Sequence, residues 1–290
     1  MPRKNLILVI STRKFIAIFL YAILTAAAPA SAMQAELSAA ELFPGDAFSL
    51  KISGMASTET ATAAIDAIQI PLTGCGEDCL IGIGIIPPQT LPGKMAIQIR
   101  NGSRLTRVSV TVKKPAYPEL HLKLPDKKVS LSQEDIARVV EEEKRLRPIW
   151  QITNEKLCKG TFQMPLPNPI STVYGAKRIF NKKNVSVHRG IDIKGRSGEE
   201  VKASNRGRVV LSEELFFGGN TLIIDHGLGI YTIYMHLDSF STSVGRMVEK
   251  GQIIGLVGTT GRSTGPHLHF GLKILTFNAN PVSIMGISLE

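Results

Sequence analysis

The sequence predicts a mainly β protein, two regions of short strands joined by one helix. Runs of roughly four to eight β-branched or apolar residues recur between Gly- and Pro-containing turns. The clearest of them alternate with period two, and one segment, after Ser132, carries the start and stop signals of an amphipathic helix. The 290 residues suffice for one large or two medium domains. Charged residues are 20 % and apolar residues 43 % of the chain, a globular balance that excludes a polyelectrolyte or a low-complexity polymer.

Residues 1–32 read as a secretory signal peptide. Arg3, Lys4, Arg13 and Lys14 form a positive start, Phe15 to Ala28 is an apolar run, and Ala30-Ser31-Ala32 supplies an Ala-x-Ala cleavage pattern. The run falls short of the roughly 20 apolar residues of a spanning helix, so no stable transmembrane segment is expected after cleavage before Met33. No Cys follows Ala32, which argues against a lipoprotein. Removing the segment takes away four positive charges and lowers the formal net charge from +10 to +6. Part of the basicity is therefore targeting. An exported protein meets little nucleic acid, its aromatics are few and no nucleic-acid motif is present, so that partner class is excluded; anionic cell-envelope polymers suit the remaining charge better.

Residues 36–114 are expected to form an N-terminal β domain, an Ig-like sandwich. Phe48 to Ile52 follows the turn Pro44-Gly45-Asp46, and Ile81 to Ile86, Met95 to Ile99 and the strictly alternating Val108-Ser109-Val110-Thr111-Val112 follow it. Cys75 and Cys79 flank a Gly-containing turn, where a local disulfide and two free thiols are both open readings. Cys158 reads as a buried or incidental thiol. Residues 115–159 form a linker. Leu120-His121-Leu122 alternates with His121 on the polar side, and Ser132 with Asp135 forms a capping-box pair opening a helix. Its expected apolar stripe is Ile136, Val139, Val140 and Leu146, its end is Pro148, and the acidic run Glu141 to Glu143 is expected to be solvated.

Residues 160–290 change texture. Gly-rich turns separate Gly207 to Leu211, Asn220 to Asp225, Ile230 to Leu237, Gly251 to Gly258 and His267 to Leu272, which predicts an antiparallel, largely helix-free β domain. Five of the six histidines fall here. In His188-Arg-Gly-Ile-Asp192, Gly190 and the β-branched Ile191 and Ile193 disfavour helix, so a loop feeds a strand and Asp192 projects opposite two core residues. A carboxylate on an inner face is costly unless it is paired or binds a metal. The spacing of His267 and His269 puts both imidazoles on one face of a strand; the preceding Gly261 to Pro266 makes a tight loop that leaves room for a ligand. His236 is expected to end its strand on the face of Thr232 and Tyr234. Two imidazoles and one carboxylate leave a fourth position open, as in catalytic zinc sites, and further histidines beside such a site suit proton transfer in a hydrolysis.

The His188-x-Gly190-x-Asp192, Tyr234-x-His236-Leu237 and Ser263-Thr-Gly-Pro-His-Leu-His-Phe-Gly271 motifs, in this order, resemble the lysostaphin/LytM-type zinc peptidases, peptidase family M23. The resemblance runs from about Phe162 to Ile284. It implies a compact LytM-type antiparallel β-sheet peptidase domain with one Zn2+ held by His188, Asp192 and His269. It also implies His236 and His267 as the catalytic pair, and peptide bonds of peptidoglycan as substrate. Asn220 resembles a groove-lining, substrate-binding position. No ligand position departs from the pattern. An exported bacterial protein of the periplasm, cell envelope or outside medium is implied. The competing reading is a non-catalytic protein of the same fold that activates or recruits a cell-wall hydrolase, whose signature would be missing ligands.

Among bonds, D-alanyl to diaminopimelate is favoured over other cross-links and glycine bridges, because many exported members with an added N-terminal domain act on directly cross-linked wall. His226, in Asp225-His226-Gly227, reads as part of a turn. The segment Arg178 to Val187, with Lys182 and Lys183, reads as a loop that either is solvated or touches an anionic polymer. The N-terminal domain would position the enzyme on the wall or cover its groove.

Overall fold

The computed structural model describes residues 33–54, 60–122, 131–150, 155–181 and 184–290. The expected signal peptide, Lys182 and Lys183 lie outside them. The described chain is mainly β with the single expected α-helix.

Two antiparallel-rich sheets make the N-terminal region. One orders Gln34–Leu37, Ala47–Ser53, Cys79–Ile85 and Thr73–Gly76; the other orders Glu41–Leu42, Arg104–Val112, Gly93–Asn101, Ala61–Ile65 and Ile68–Ile70. Alternation buries Phe48, Leu50 and Ile52 of the first sheet against Ile65, Ile97, Ile99, Val110 and Val112 of the second, so the two share one core. Cys79–Ile85 alternates Ile with Gly for a reason visible on both faces. On the inner face a Cβ on Gly84 would lie 2.4 Å from Cζ of Phe48. On the outer face Ile81, Ile83 and Ile85 join Cys158, Phe162, Leu228, Ile230, Leu272 and Ile274 in a second core shared with the C-terminal region. The same sheet is thus apolar on both sides. Polar bonds reinforce the junction: Asn280 donates to Asp46 Oδ1 at 2.9 Å, the Ala47 N–H to Ser283 Oγ at 2.8 Å, and Tyr117 Oη to the Pro44 carbonyl at 2.9 Å. Cys75 and Cys79 form a disulfide, and Cys158 is a free, buried thiol that burial pushes up to about 11.

The C-terminal region is built on a ten-stranded antiparallel sheet whose main path runs Ile170–Thr172, Gly190–Lys194, His267–Ile274, Ile230–Phe240, Gly219–Asp225, Gly207–Leu215, Met247–Val248. Ile191, Ile193, Leu222, Ile224, Tyr234, Leu268 and Phe270 fill its core. A small separate sheet pairs Glu119–Leu122 of the linker in parallel with Lys177–Phe180, which pairs antiparallel with Asn184–Val187. The segment expected as a loop from Arg178 to Val187 is therefore mostly a strand pair.

The helix Gln133–Leu146 starts with the expected capping box, and Pro148 falls in a single 3-10 turn that follows it. Its docking differs from expectation. Ile136 and Val140 are exposed; Leu146, with Ile149 and Trp150, packs on Leu211, Leu215, Ile223, Tyr231 and Ile233. Glu142 is not a solvated acid: its carboxylate accepts from the Phe216 N–H at 3.0 Å, while Arg145 pairs with Glu213 at 2.8 Å. The helix is held through polar groups because the Phe216 amide, at the bend between two strands, has no ladder partner and takes a carboxylate instead.

Candidate active site

Strand register places the acidic and histidine side chains together. Gly190–Lys194 pairs antiparallel with His267–Ile274, Asp192 opposite His269 and Lys194 opposite His267. Ile191, Ile193, Leu268 and Phe270 are in the core, so period two turns Asp192, Lys194, His267 and His269 to the opposite face. His188 lies just before the first strand, its backbone pinned by bonds from its N–H to the Ala176 carbonyl and from the Gly175 N–H to its own carbonyl, both 2.9 Å.

His188, Asp192 and His269 are the group able to hold a metal among the described residues. Nε2 of His188, Oδ1 of Asp192 and Nδ1 of His269 form a triangle with sides of 2.9, 2.9 and 3.0 Å. His188 directs Nδ1 at the Val173 carbonyl, 2.9 Å away, which places a proton on Nδ1 and points Nε2 into the triangle, where a bound metal would take its lone pair. The donor set fits zinc. Donors at the usual zinc distances sit about 3.4 Å apart in a tetrahedron, so the three atoms need to open by only about 0.4 Å. Burial alone would raise the Asp192 carboxyl; hydrogen bonds and charge from His188 and His269 overcome it and hold it well below the usual carboxylate range. Burial lowers His269 despite the opposing pull of Asp192.

His236 and His267 stand beside this triangle, ring centroids 4.8 Å apart, with His236 6.1 Å from His269. His236 does not end its strand, which runs on to Phe240, and it does not share the face of Tyr234. Tyr234 pairs with Phe270 in the core, whereas Met235 pairs with His269. Strict alternation would send His236 into the core; its φ of 64° breaks the alternation and re-aims the ring. Its N–H bonds the Gly218 carbonyl at 2.7 Å and its Nδ1 faces the Thr260 carbonyl at 2.9 Å. The two loops concerned touch through glycine: a Cβ on Gly219, φ +60°, would lie 2.3 Å from the Thr260 carbonyl carbon. His267 likewise directs Nδ1 at a backbone carbonyl, Gly265, at 2.8 Å. Both contacts place a proton on Nδ1, so that in the neutral tautomer Nε2 carries the lone pair. Burial, then the neighbouring imidazoles, lower His236 to about 3, so it is neutral near pH 7.

The Asn220 backbone N–H bonds Thr260 Oγ1 at 2.9 Å and its side-chain amide donates to the Asp238 carbonyl at 2.9 Å, so it braces the loop that receives His236. His226 is remote from the cluster and fully buried, with Nδ1 on the Arg206 carbonyl at 2.8 Å and Nε2 on Thr232 Oγ1 at 2.7 Å, in a chain that continues to Tyr234 Oη and the Ser204 N–H. His121 is exposed. One residue escaped sequence reading: Arg178, whose Nη2 donates to Oδ2 of Asp192. No local pattern marks it, since the contact depends on the strand pair that carries it.

A cavity of about 270 Å³ opens on the cluster, lined by Ser171, Thr172, Asp192, Thr264, Pro266 and His267. Beyond Lys194 a larger one, about 700 Å³, is bordered by Asn168, Lys194, Arg196 and Glu199.

Residues 186–283 match the model of peptidase family M23. The DD-carboxypeptidase/endopeptidase Mpg of Neisseria meningitidis is 43 % identical over 98 residues, which are 34 % of this chain and 23 % of Mpg. The peptidoglycan DD-endopeptidase ShyA of Vibrio cholerae is 40 % identical over 117 residues, 40 % of this chain and 26 % of ShyA. The chain thus spans about a quarter of the length of these curated relatives. A crystal structure from Pseudomonas aeruginosa assigned to peptidase M23 superposes with a TM-score of 0.64 at 23 % identity, covering 84 % of this chain and 95 % of that one; the likeness in fold extends well beyond the matched residues. All six residues singled out for the site, His188, Asp192, Asn220, His236, His267 and His269, lie within 186–283, the segment that matches the peptidase family M23 model.

Proposed function

We propose that this chain is an exported zinc endopeptidase that hydrolyses peptide cross-links in peptidoglycan. One observation carries the reading: three metal-ligating atoms from His188, Asp192 and His269 converge within 3.0 Å of one another beside two imidazoles, His236 and His267, whose Nδ1 atoms are tied to backbone carbonyls. Zinc held by the three would polarise the scissile carbonyl and lower the pKa of water. The rest is done by the chain. His236 and His267 enter as proton acceptors, fixed in that tautomer by the carbonyls of Thr260 and Gly265. The imidazolium formed by the transfer then donates to the developing oxyanion or to the leaving amine. Asn220 braces the loop that orients His236.

The relatives and the cavities beside the cluster support the substrate class. Mpg is by name a DD-carboxypeptidase/endopeptidase and ShyA a peptidoglycan DD-endopeptidase, which favours the same class of cross-link here. Lys194 and Arg196, on the rim beyond His267, would meet the carboxylates of wall peptides. The test is release of soluble peptides from purified sacculi: EDTA and His236→Ala should each abolish it, and release that survives both would refute the proposal.

A further inference from the structure

Asp192 divides its two carboxylate oxygens between two sets of partners. Oδ1 faces Nε2 of His188 and Nδ1 of His269, each at 2.9 Å, and Nε2 of His267 at 3.8 Å. Oδ2 receives Nη2 of Arg178. We propose that Arg178 is a positioning residue of the metal site, taking Oδ2 of Asp192 so that Oδ1 alone is presented to the ion beside His188 and His269. The inference rests on the zinc reading above and names a residue outside the segment matched to the family, which begins at 186.

The surroundings of Arg178 suit this role. Its strand, Lys177–Phe180, is held on both sides, with Arg178 opposite Leu120 of the linker strand and Ser186 of the next, and the neighbouring Lys177 pairs with Glu119 at 2.6 Å. The guanidinium thus arrives on a braced strand. Its side chain is 22 % exposed, and that of Asp192 is 9 %. Among the described residues Nε of Arg178 is buried without a hydrogen-bond partner, so the Asp192 carboxylate is the anchor that holds the side chain in place. A carboxylate with one oxygen bonded to a permanently charged guanidinium on a braced strand is held against rotation and does not offer that oxygen to a metal. Lysine, a point charge on a flexible stem, supplies the charge without that constraint.

The experiment compares metal binding by the full chain, Arg178→Met, Arg178→Lys and His188→Ala. Zinc affinity is read by competition with a chromogenic chelator, and coordination by the visible spectrum of the cobalt-loaded proteins. Partners just outside the ligands typically contribute about 10- to 100-fold in metal affinity. Arg178→Met should therefore bind zinc about 10- to 100-fold more weakly, and its cobalt bands should weaken as Asp192 turns bidentate and the coordination number rises. Arg178→Lys should lie between Met and the parent. Melting of the metal-free proteins checks folding; if Arg178→Met does not fold, Arg178→Lys decides. Parent-like affinity and an unchanged cobalt spectrum in a folded variant overturn the inference while leaving the zinc reading intact. A parent chain that binds zinc no better than His188→Ala overturns the zinc reading itself.

Discussion

His226 makes stability depend on pH in a way that can be worked from its surroundings. The ring is fully buried and bonded at both nitrogens, and burial, only partly offset by the Arg206 carbonyl, lowers it from 6.5 to about 4. The folded protein therefore holds it neutral while the unfolded chain binds a proton below about pH 6.5. The group's contribution is complete above the unfolded pKa and is lost as pH falls toward the folded one. Linkage puts the loss at about 2 kcal/mol by pH 5 and about 3 kcal/mol in full. The perturbation is His226→Asn, which keeps an N–H for the Arg206 carbonyl and removes the titration. Urea unfolding of parent and variant in chelator, at about pH 7.5 and about pH 5, gives the parent's stability advantage at each pH. That advantage should shrink by about 2 kcal/mol at the lower pH. An advantage that stays constant would refute the reasoning, because the proton would then not be excluded by the fold.

Two further predictions follow from packing and from the helix. Gly84→Ala puts a Cβ 2.4 Å from the Phe48 ring and should cost about 1–3 kcal/mol by thermal melting, whereas Gly74→Ala, with nothing within 4 Å, should leave the melting temperature unchanged. Glu142→Ala removes the acceptor for the Phe216 N–H and should speed hydrogen exchange at that amide; Glu142→Gln, which keeps an acceptor, should not.

Much of the site is legible in the sequence because its rules are local. Alternation around Asp192 and the one-residue spacing of His267 and His269 decide which face those side chains take, and the register that joins them supplies only the pairing. Ser132 and Asp135 specify the helix start for the same reason. Where alternation fails, sequence reading fails with it. His236 reaches the site through a left-handed φ that nothing in Tyr234-Met235-His236 announces. Arg178 and Glu142 look like surface charges until distant strands bring Asp192 and the Phe216 amide to them. The Ile81, Ile83 and Ile85 row marks a strand but not its second partner, since one apolar face does not say which surface will cover it.

The central claim is cleavage of wall cross-links by the His188, Asp192, His269 site with His236 and His267. Mass spectrometry of defined cross-linked muropeptide dimers incubated with the zinc-loaded chain tests it most directly. The account predicts that dimers split into monomers with a new amine and a new carboxylate, that EDTA stops the reaction and zinc restores it, and that His236→Ala leaves the dimers whole. Dimers that remain intact with the zinc-loaded parent, or that split equally well with His236→Ala in EDTA, would contradict it.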